Sequence, residues 1–335
     1  EEELHMSGKI LVTGGAGYIG SHMLACLKQH NMDAVVVDNL CTGHAAAVKH
    51  GELMTGDVRD AAFLDSVFEK HDITGVIHFA AFSLVGESCT DPLKYYANNV
   101  AGAVELLSAM RRHGVKNIVF SSTAAVYGEP EKQPIEETDR TLPTNPYGET
   151  KLAVERMLRW SAEACGIRYA ALRYFNAAGA DPKTGIGEDH SPETHLIPIV
   201  LDAALGKRSH VGIFGDDYPT RDGTCIRDYV HVLDLAEAHL LALRYLENGG
   251  ESGAFNLGSG SGFSVKEIVE TARRVTGVDI IAKVAPRRAG DPSVLVASSE
   301  KAKRVLGWQP RHTRIEAIIA SAWEWKKAHP AGYGK

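Results

Sequence analysis

The 335-residue chain predicts an α/β protein: a doubly wound parallel sheet followed by a smaller, mixed α/β domain. Two observations carry that prediction. Through the first half, short and nearly continuous apolar runs alternate with longer helical patterns. After Asn176 the pattern changes, and loops rich in Pro, Gly and Asp (181–193, 214–224, 286–293) separate shorter elements. Strands covered on both faces read as unbroken apolar runs, and parallel strands need helical crossovers between them.

Taken in order, KILVT (9–13) reads as a buried strand and 19–29 as a helix. AVVVD (34–38) is a second strand, 61–70 a helix, and VIHFA (76–80) a further strand. A helix over 95–113 leads into the strand NIVFSS (117–122), a long helix follows Tyr147, and RYAALRYF (168–175) is the next strand. The expected first domain is 8–176, rejoined by the apolar segment 229–250; the second comprises 177–228 and 251–330.

Composition narrows the partners. Apolar residues make up 44% and charged residues 23%, which is ordinary for a globular chain. A net charge of −6, from 36 basic and 42 acidic residues, argues against nucleic acid or an anionic membrane as the main partner. No apolar run approaches the roughly 20 residues of a membrane span. The N-terminal EEELHMSGK lacks the apolar core of a secretory signal. Cys26, Cys41, Cys89, Cys165 and Cys225 are odd in number and widely spaced, as in a reduced, cytoplasmic chain. The fifteen histidines show no metal-ligand spacing such as H-E-x-x-H, so no metal is expected.

LVTGGAGYIG (11–20) follows the first strand and opens a helix. Gly15, Gly17 and Gly20 satisfy one glycine spacing; Gly14, Gly17 and Gly20 satisfy a wider one. Glycines there permit a tight turn and close backbone approach, so that a pyrophosphate can sit on the helix N-terminus. The plain alternative is a glycine turn without a ligand. With a strand before and a helix after, the first domain reads as a Rossmann dinucleotide fold. Asp38 ends the second strand eighteen residues past Gly20. A carboxylate there suits a ribose with both hydroxyls and repels a 2′-phosphate, which points to NAD rather than NADP; alternatively it opens the DNLCTG turn. Asp57, in GDVRD, is suited to the adenine edge.

At the other end of the expected crevice, Thr123 stands at the C-terminal edge of a strand, where ligands lie in open α/β sheets. It can bond a substrate hydroxyl or cap a turn. Tyr147 and Lys151, at i and i+4, share one helix face. A phenol with a pKa of about 10 is a poor base at neutral pH, but an adjacent ammonium and a nicotinamide cation would stabilise the phenolate. Tyr147 then becomes a general base for a sugar or alcohol hydroxyl, and Lys151 also a ligand of the nicotinamide ribose.

TGGAGYIG, DNLCTG, HFAA, SSTAAVYG and YGETK together resemble the extended short-chain dehydrogenase/reductase superfamily. HFAAFSLVGES, YYANNVAG, RYFNAAGA, IFGDDYPTRDGTCIRDYVHV and RRAGDP narrow the resemblance to its UDP-hexose 4-epimerases, over nearly the whole chain. The resemblance implies a tightly held NAD and a substrate inverted at C4. Tyr147 takes the proton of the sugar 4-hydroxyl, which Thr123 also bonds, while hydride passes from C4 to the nicotinamide. The 4-keto sugar swings about its phosphate linkage and receives the hydride on its opposite face.

The same resemblance implies cofactor contacts from Gly14, Gly17, Tyr18, Ile19, Gly20, Asp38, Asn39, Thr42, Gly43, Asp57, Val58, Phe79, Ala80, Ala81, Ser83, Asn98, Ser121, Tyr147, Lys151 and Phe175. It gives the UDP-sugar to Thr123, Asn176, His195, Leu196, Phe214, Arg227, Arg288, Asp291 and Leu295. Arg227 and Arg288 can fork onto pyrophosphate oxygens, with a surface salt bridge as the plain alternative for each. It further implies a homodimer formed through the helices near 95–113 and 147–165.

Three departures matter. Ser83 replaces a lysine that some members direct at the cofactor pyrophosphate. Leu295 stands at the size gate over the sugar C2 group, where some members have tyrosine, so N-acetylated UDP-sugars are expected as further substrates. Ala124 and Ala125 follow Thr123 where sugar dehydratases carry an Asp-Glu pair, so water elimination lacks its acid and base. NAD-dependent epimerases of UDP-uronates or UDP-pentoses stay open as readings. So does a non-catalytic NAD-sensing protein, although that reading expects a broken Tyr/Lys pair.

Overall fold

The computed structural model describes residues 8–288 and 292–334. They form two compact units, one of 8–126, 145–173 and 236–255, the other of 127–144, 174–235 and 256–334.

The first unit is built on a seven-stranded sheet. Its order is Gly253–Leu257, Arg168–Tyr174, Asn117–Ser121, Ile73–His78, Lys9–Thr13, Ala34–Asp38, Glu52–Thr55. The five strand pairings from Glu52–Thr55 to Arg168–Tyr174 are parallel. The chain winds outward from Lys9–Thr13 to Glu52–Thr55, then returns to the other side of the first strand with Ile73–His78. That reversal opens a crevice beyond the carboxyl ends of these two central strands, the usual ligand position in open α/β sheets. Thr13 and His78 face each other there in register and share a 2.6 Å Oγ1–Nδ1 hydrogen bond.

Apolar alternation with the helices supplies the core. Leu11, Val35, Val37, Val76, Ile118 and Phe120 from the strands pack with Leu64, Val67, Leu106, Met110, Val154 and Leu158 from the helices. Burying each such side chain contributes about 1.5–3 kcal/mol. Helix Pro146–Cys165 starts on Asn145, whose side chain accepts from Gly148 N at 2.9 Å, with Pro146 in the first turn. It stops at Gly166, which is left-handed at φ +67°.

Two elements differ from the sequence reading. Glu52–Thr55 is an additional strand, legible only as a short apolar run because it is a partly exposed edge. The helix expected over 95–113 is three pieces: Pro92–Tyr95, a π-helical turn Tyr96–Val100, and Ala101–Arg112. Asn99 in that turn accepts from Phe82 N (2.8 Å) and donates to Phe82 O (3.0 Å) and Thr150 Oγ1 (3.1 Å). These bonds hold it on the loop after the fourth strand, and wide turns of this kind recur at functional sites.

The second unit is mixed α/β. Asn176–Ala178 pairs in parallel with Tyr229–His231, and Val211–Phe214 with Ala282–Ala285. Ile226–Arg227 lies between Phe263–Ser264 and Val294–Leu295. Helices Leu196–Ala204, Val265–Thr276 and Ile315–Ala328 close over a core that includes Ile197, Leu201, Val211, Ile268, Val269, Ile318 and Ile319. Helix Val232–Glu247 runs from this unit into the first.

Candidate active site

The glycine turn is sterically committed. Gly14 has φ +72°, and a Cβ there would lie 2.6 Å from Ala80 N; one on Gly20 would lie 2.2 Å from the Gly14 oxygen. Gly17 caps helix Tyr18–Gln29 without a side-chain acceptor, so the first amides of this 12-residue helix are not satisfied by a capping side chain. These features fit a dinucleotide pyrophosphate, the anion that such a cradle takes.

The ribose end is equally built. Asp38 is buried and accepts from Ala16 N at 3.0 Å and Leu40 N at 2.8 Å, which pins it between the glycine turn and the next loop. Burial raises its pKa against these two bonds. Asn39 donates to Asp57 at 3.1 Å, and Arg59, which sequence reading missed, forks onto Asp57 at 2.8 and 2.7 Å. The guanidinium holds that carboxyl well below the usual range. Gly43 packs against Ala16, Val58 and Asn98 are buried, and Tyr18 meets His22 edge-on. Phe79 packs on His239 at 4.7 Å; Ile19, Ala80 and Ala81 are half-buried, while Thr42 and Ser83 are exposed.

Thr123, Tyr147 and Lys151 come together within the first unit. Thr123 bonds the Tyr147 phenol, and its Oγ1 also accepts from Ala125 N at 3.1 Å. Lys151 Nζ donates to the Ser121 carbonyl at 2.8 Å and lies 5.0 Å from the Phe120 ring centroid and 5.9 Å from that of Tyr147. Burial drives both groups toward neutrality. It raises Tyr147 to about 12, against the Thr123 bond, and lowers Lys151 to about 7, against the pull of Glu155. The sequence reading expected the ammonium to favour the phenolate; without a further cation, desolvation is the larger effect. His78 is lowered to about 3 by burial and then by Lys151, so it is a neutral imidazole.

Behind this group lies a buried pair that the sequence did not reveal. Arg173 forks onto Glu155 at 2.9 and 2.5 Å, and Ser122 Oγ donates to the same carboxylate at 2.5 Å.

In the second unit, Arg288 stacks on Phe214, with its guanidinium carbon 3.9 Å from the ring centroid. It takes part in no ion pair among the described residues, whereas the adjacent Arg287 is bound to Asp217 at 2.6 Å. Leu295 stands opposite Arg227 in the strand register, and Arg227 donates to its neighbour Ile226 O at 2.8 Å. Asn176 Nδ2 donates to Asp228 O at 2.9 Å. His195 is the residue before helix Leu196–Ala204 and bonds Glu188; Phe175 is half-buried. Asp291 lies outside the described residues.

Comparison with known proteins supplies the rest. The model of a family described as "NAD dependent epimerase/dehydratase family" matches residues 10–258. A protein of Halalkalibacterium halodurans named UDP-glucose 4-epimerase is 60% identical over 324 residues, covering 97% of both chains. A solved UDP-glucose 4-epimerase structure superposes with a TM-score of 0.96 at 57% identity, over 98% of this chain and 100% of the other. The Brucella ovis UDP-glucose 4-epimerase in complex with NAD gives a TM-score of 0.93 at 48% identity, over 95% and 98%.

Proposed function

The chain belongs to the NAD dependent epimerase/dehydratase family, and from that premise we propose that it interconverts UDP-glucose and UDP-galactose by inverting C4 of the sugar. It is an NAD-dependent isomerase. The observation that carries the reading is the bonded Thr123–Tyr147 pair with Lys151 beside it, in a chain similar end to end to UDP-glucose 4-epimerases.

Each residue has a defined task. Tyr147 exchanges one proton with the sugar 4-hydroxyl, and Thr123 bonds that hydroxyl and keeps the phenol oriented. Lys151, fixed on the Ser121 carbonyl, titrates near neutrality and so can carry its charge close to the phenol at working pH. Bound NAD supplies the hydride acceptor and donor for C4, together with the positive charge that favours the phenolate. Gly14, Gly17 and Gly20 would hold its pyrophosphate and Asp38 its adenosine ribose. With no carboxylate pair after Thr123, the residues support proton exchange at one hydroxyl and not elimination of water.

The second unit holds the UDP in this reading. Phe214 and Arg288 form a stacked apolar and cationic surface, Arg227 offers a second fork, and Asn176, His195 and Leu196 complete the contacts. Leu295, lacking a hydroxyl and intermediate in bulk, leaves room for an N-acetyl group at C2. The protein is further proposed to act as a homodimer in the cytoplasm: Val104 and Trp160, on the two helices expected to pair, are 40% and 59% exposed, and the cysteines form no disulfide among the described residues. No helix among the described residues is long and apolar enough to cross a membrane.

Incubation of the purified protein with UDP-galactose, with the C4 configuration of the product read by NMR, tests the function. Accumulation of UDP-glucose to equilibrium without added reductant is expected. Net consumption of NAD, or no change at C4, would overturn it.

A further inference from the structure

We propose that Glu188, His190, Glu193 and His195 form a binding site for one divalent transition-metal ion, of the kind zinc represents. No H-E-x-x-H spacing exists in the sequence, and no metal was expected from it. The residues meet on the irregular loop 187–195, just before helix Leu196–Ala204 begins.

One potential ligand atom from each of the four residues lies within 4.8 Å of all the others. His190 Nδ1 is 3.2 Å from Glu188 Oε1 and 3.9 Å from Glu193 Oε2, and His195 Nδ1 bonds the same Glu188 oxygen. An ion at about 2.0–2.2 Å from nitrogen and oxygen donors draws them to within roughly 3.5 Å of one another, so only a small contraction is needed.

Glu193 gives the second, independent indication. Its side chain is only 7% exposed. Oε1 accepts from Thr194 N at 2.8 Å and His195 N at 2.9 Å, but Oε2 is buried without a hydrogen-bond partner and lies within the cluster. A carboxylate oxygen withdrawn from water and from donors is costly, and a cation among these four residues would satisfy it. Against the effect of burial, the carboxylates hold protons on both imidazoles, so a divalent ion would displace these protons as it binds and then cancel the −2 of two carboxylates with two neutral imidazoles.

The donor set selects the class of ion. Two imidazoles and two carboxylates suit zinc and its first-row neighbours, whereas magnesium and calcium favour all-oxygen shells. The cluster of Cys26, His30 and Glu237 offers a contrast. There only three donors meet, and no oxygen of Glu237 is buried without a partner. The 188–195 site would tie its loop to the start of helix Leu196–Ala204 and so position His195. Its test reads metal content and not turnover, so it stands or falls separately from the proposed function.

The untagged protein, purified without chelator and passed through gel filtration, is analysed for metal by mass spectrometry. Metal-free protein is then titrated with Co²⁺ and followed by visible absorption. About one equivalent of zinc per chain, and a saturable d–d band at one Co²⁺ per chain that zinc abolishes, are expected. The His190→Ala/Glu193→Gln variant should lose both while keeping the native far-UV circular dichroism. Metal-free wild type with no saturable band would overturn the proposal, as would a folded variant that keeps a full equivalent. If the variant does not fold, the wild-type cobalt titration decides alone.

Discussion

Lys151 donates a 2.8 Å hydrogen bond to the carbonyl of Ser121, and its charge therefore reaches Tyr147 through space at 5.9 Å from the ring centroid. The tyrosine is bonded instead by Thr123. In the proposed mechanism proton exchange therefore falls to Tyr147 alone, with Lys151 tuning it.

Tyr147→Phe keeps the ring and removes the exchangeable proton. Turnover should fall by about 10²–10⁴, the usual contribution of a general acid–base, while NAD co-purifies at wild-type stoichiometry. A variant retaining more than a tenth of kcat would exclude the role.

The Lys151 amine predicts a pH signature in nucleotide-free protein. Its folded pKa is about 7 against an ordinary lysine value of 10.5, with burial as the first cause. Between those values the unfolded chain binds more protons than the folded one, so this residue's contribution makes stability rise with pH. The penalty is complete below pH 7 and gone above the unfolded value. Lys151→Met escapes it, so the variant's advantage over wild type should be greatest near pH 6. It should then shrink toward pH 10 by an amount on the order of a few kcal/mol, at about 1.4 kcal/mol per tenfold. Urea midpoints at pH 6, 7.5 and 9 measure this, and a constant difference would contradict the assignment.

Gly20→Ala places a methyl 2.2 Å from the Gly14 oxygen, a backbone atom that cannot yield. Loss of bound NAD and a lowered Tm are expected. An alanine variant that purifies with a full complement of NAD would show that the turn can relax.

Arg173→Met leaves Glu155 buried without its fork. Breaking a buried pair from one side costs about 3–5 kcal/mol, whereas replacing both partners costs less. Glu155→Met/Arg173→Met should therefore melt at a higher temperature than Arg173→Met alone, which differential scanning calorimetry can compare.

Leu295→Tyr should lower kcat/KM for UDP-N-acetylglucosamine by more than tenfold, with a smaller effect on UDP-glucose. Equal losses on both substrates would remove Leu295 from the C2 gate.

What the sequence disclosed was local and periodic. Gly14, Gly17, Gly20 and Asp38 lie within one strand–turn–helix–strand unit, so spacing alone was enough to nominate a nucleotide turn and its ribose partner. Tyr147 and Lys151 were legible because a helix puts i and i+4 on one face. Glu155 and Arg173 are eighteen residues apart on different elements, and nothing periodic links them before the sheet forms. Asn99 was hidden for another reason: a helical pattern records which residues are apolar, and a single widened turn hardly changes that pattern. The ligands of the 188–195 loop are close in sequence, yet only an irregular backbone path makes them converge.

The π-helical turn at Tyr96–Val100 has a consequence for how this protein can change over generations. A turn with one residue more than an α-helix advances everything beyond it by about 100°. The stretch up to Asn99, anchored to the Phe82 loop, and the stretch from Ala101, which seats Leu106 and Met110 in the core, are thus phased separately. Deleting one residue between Tyr96 and Val100 would force both onto a single phase, so that either the loop anchor or the core face points the wrong way. Substitutions are tolerable along this helix where a change of length is not.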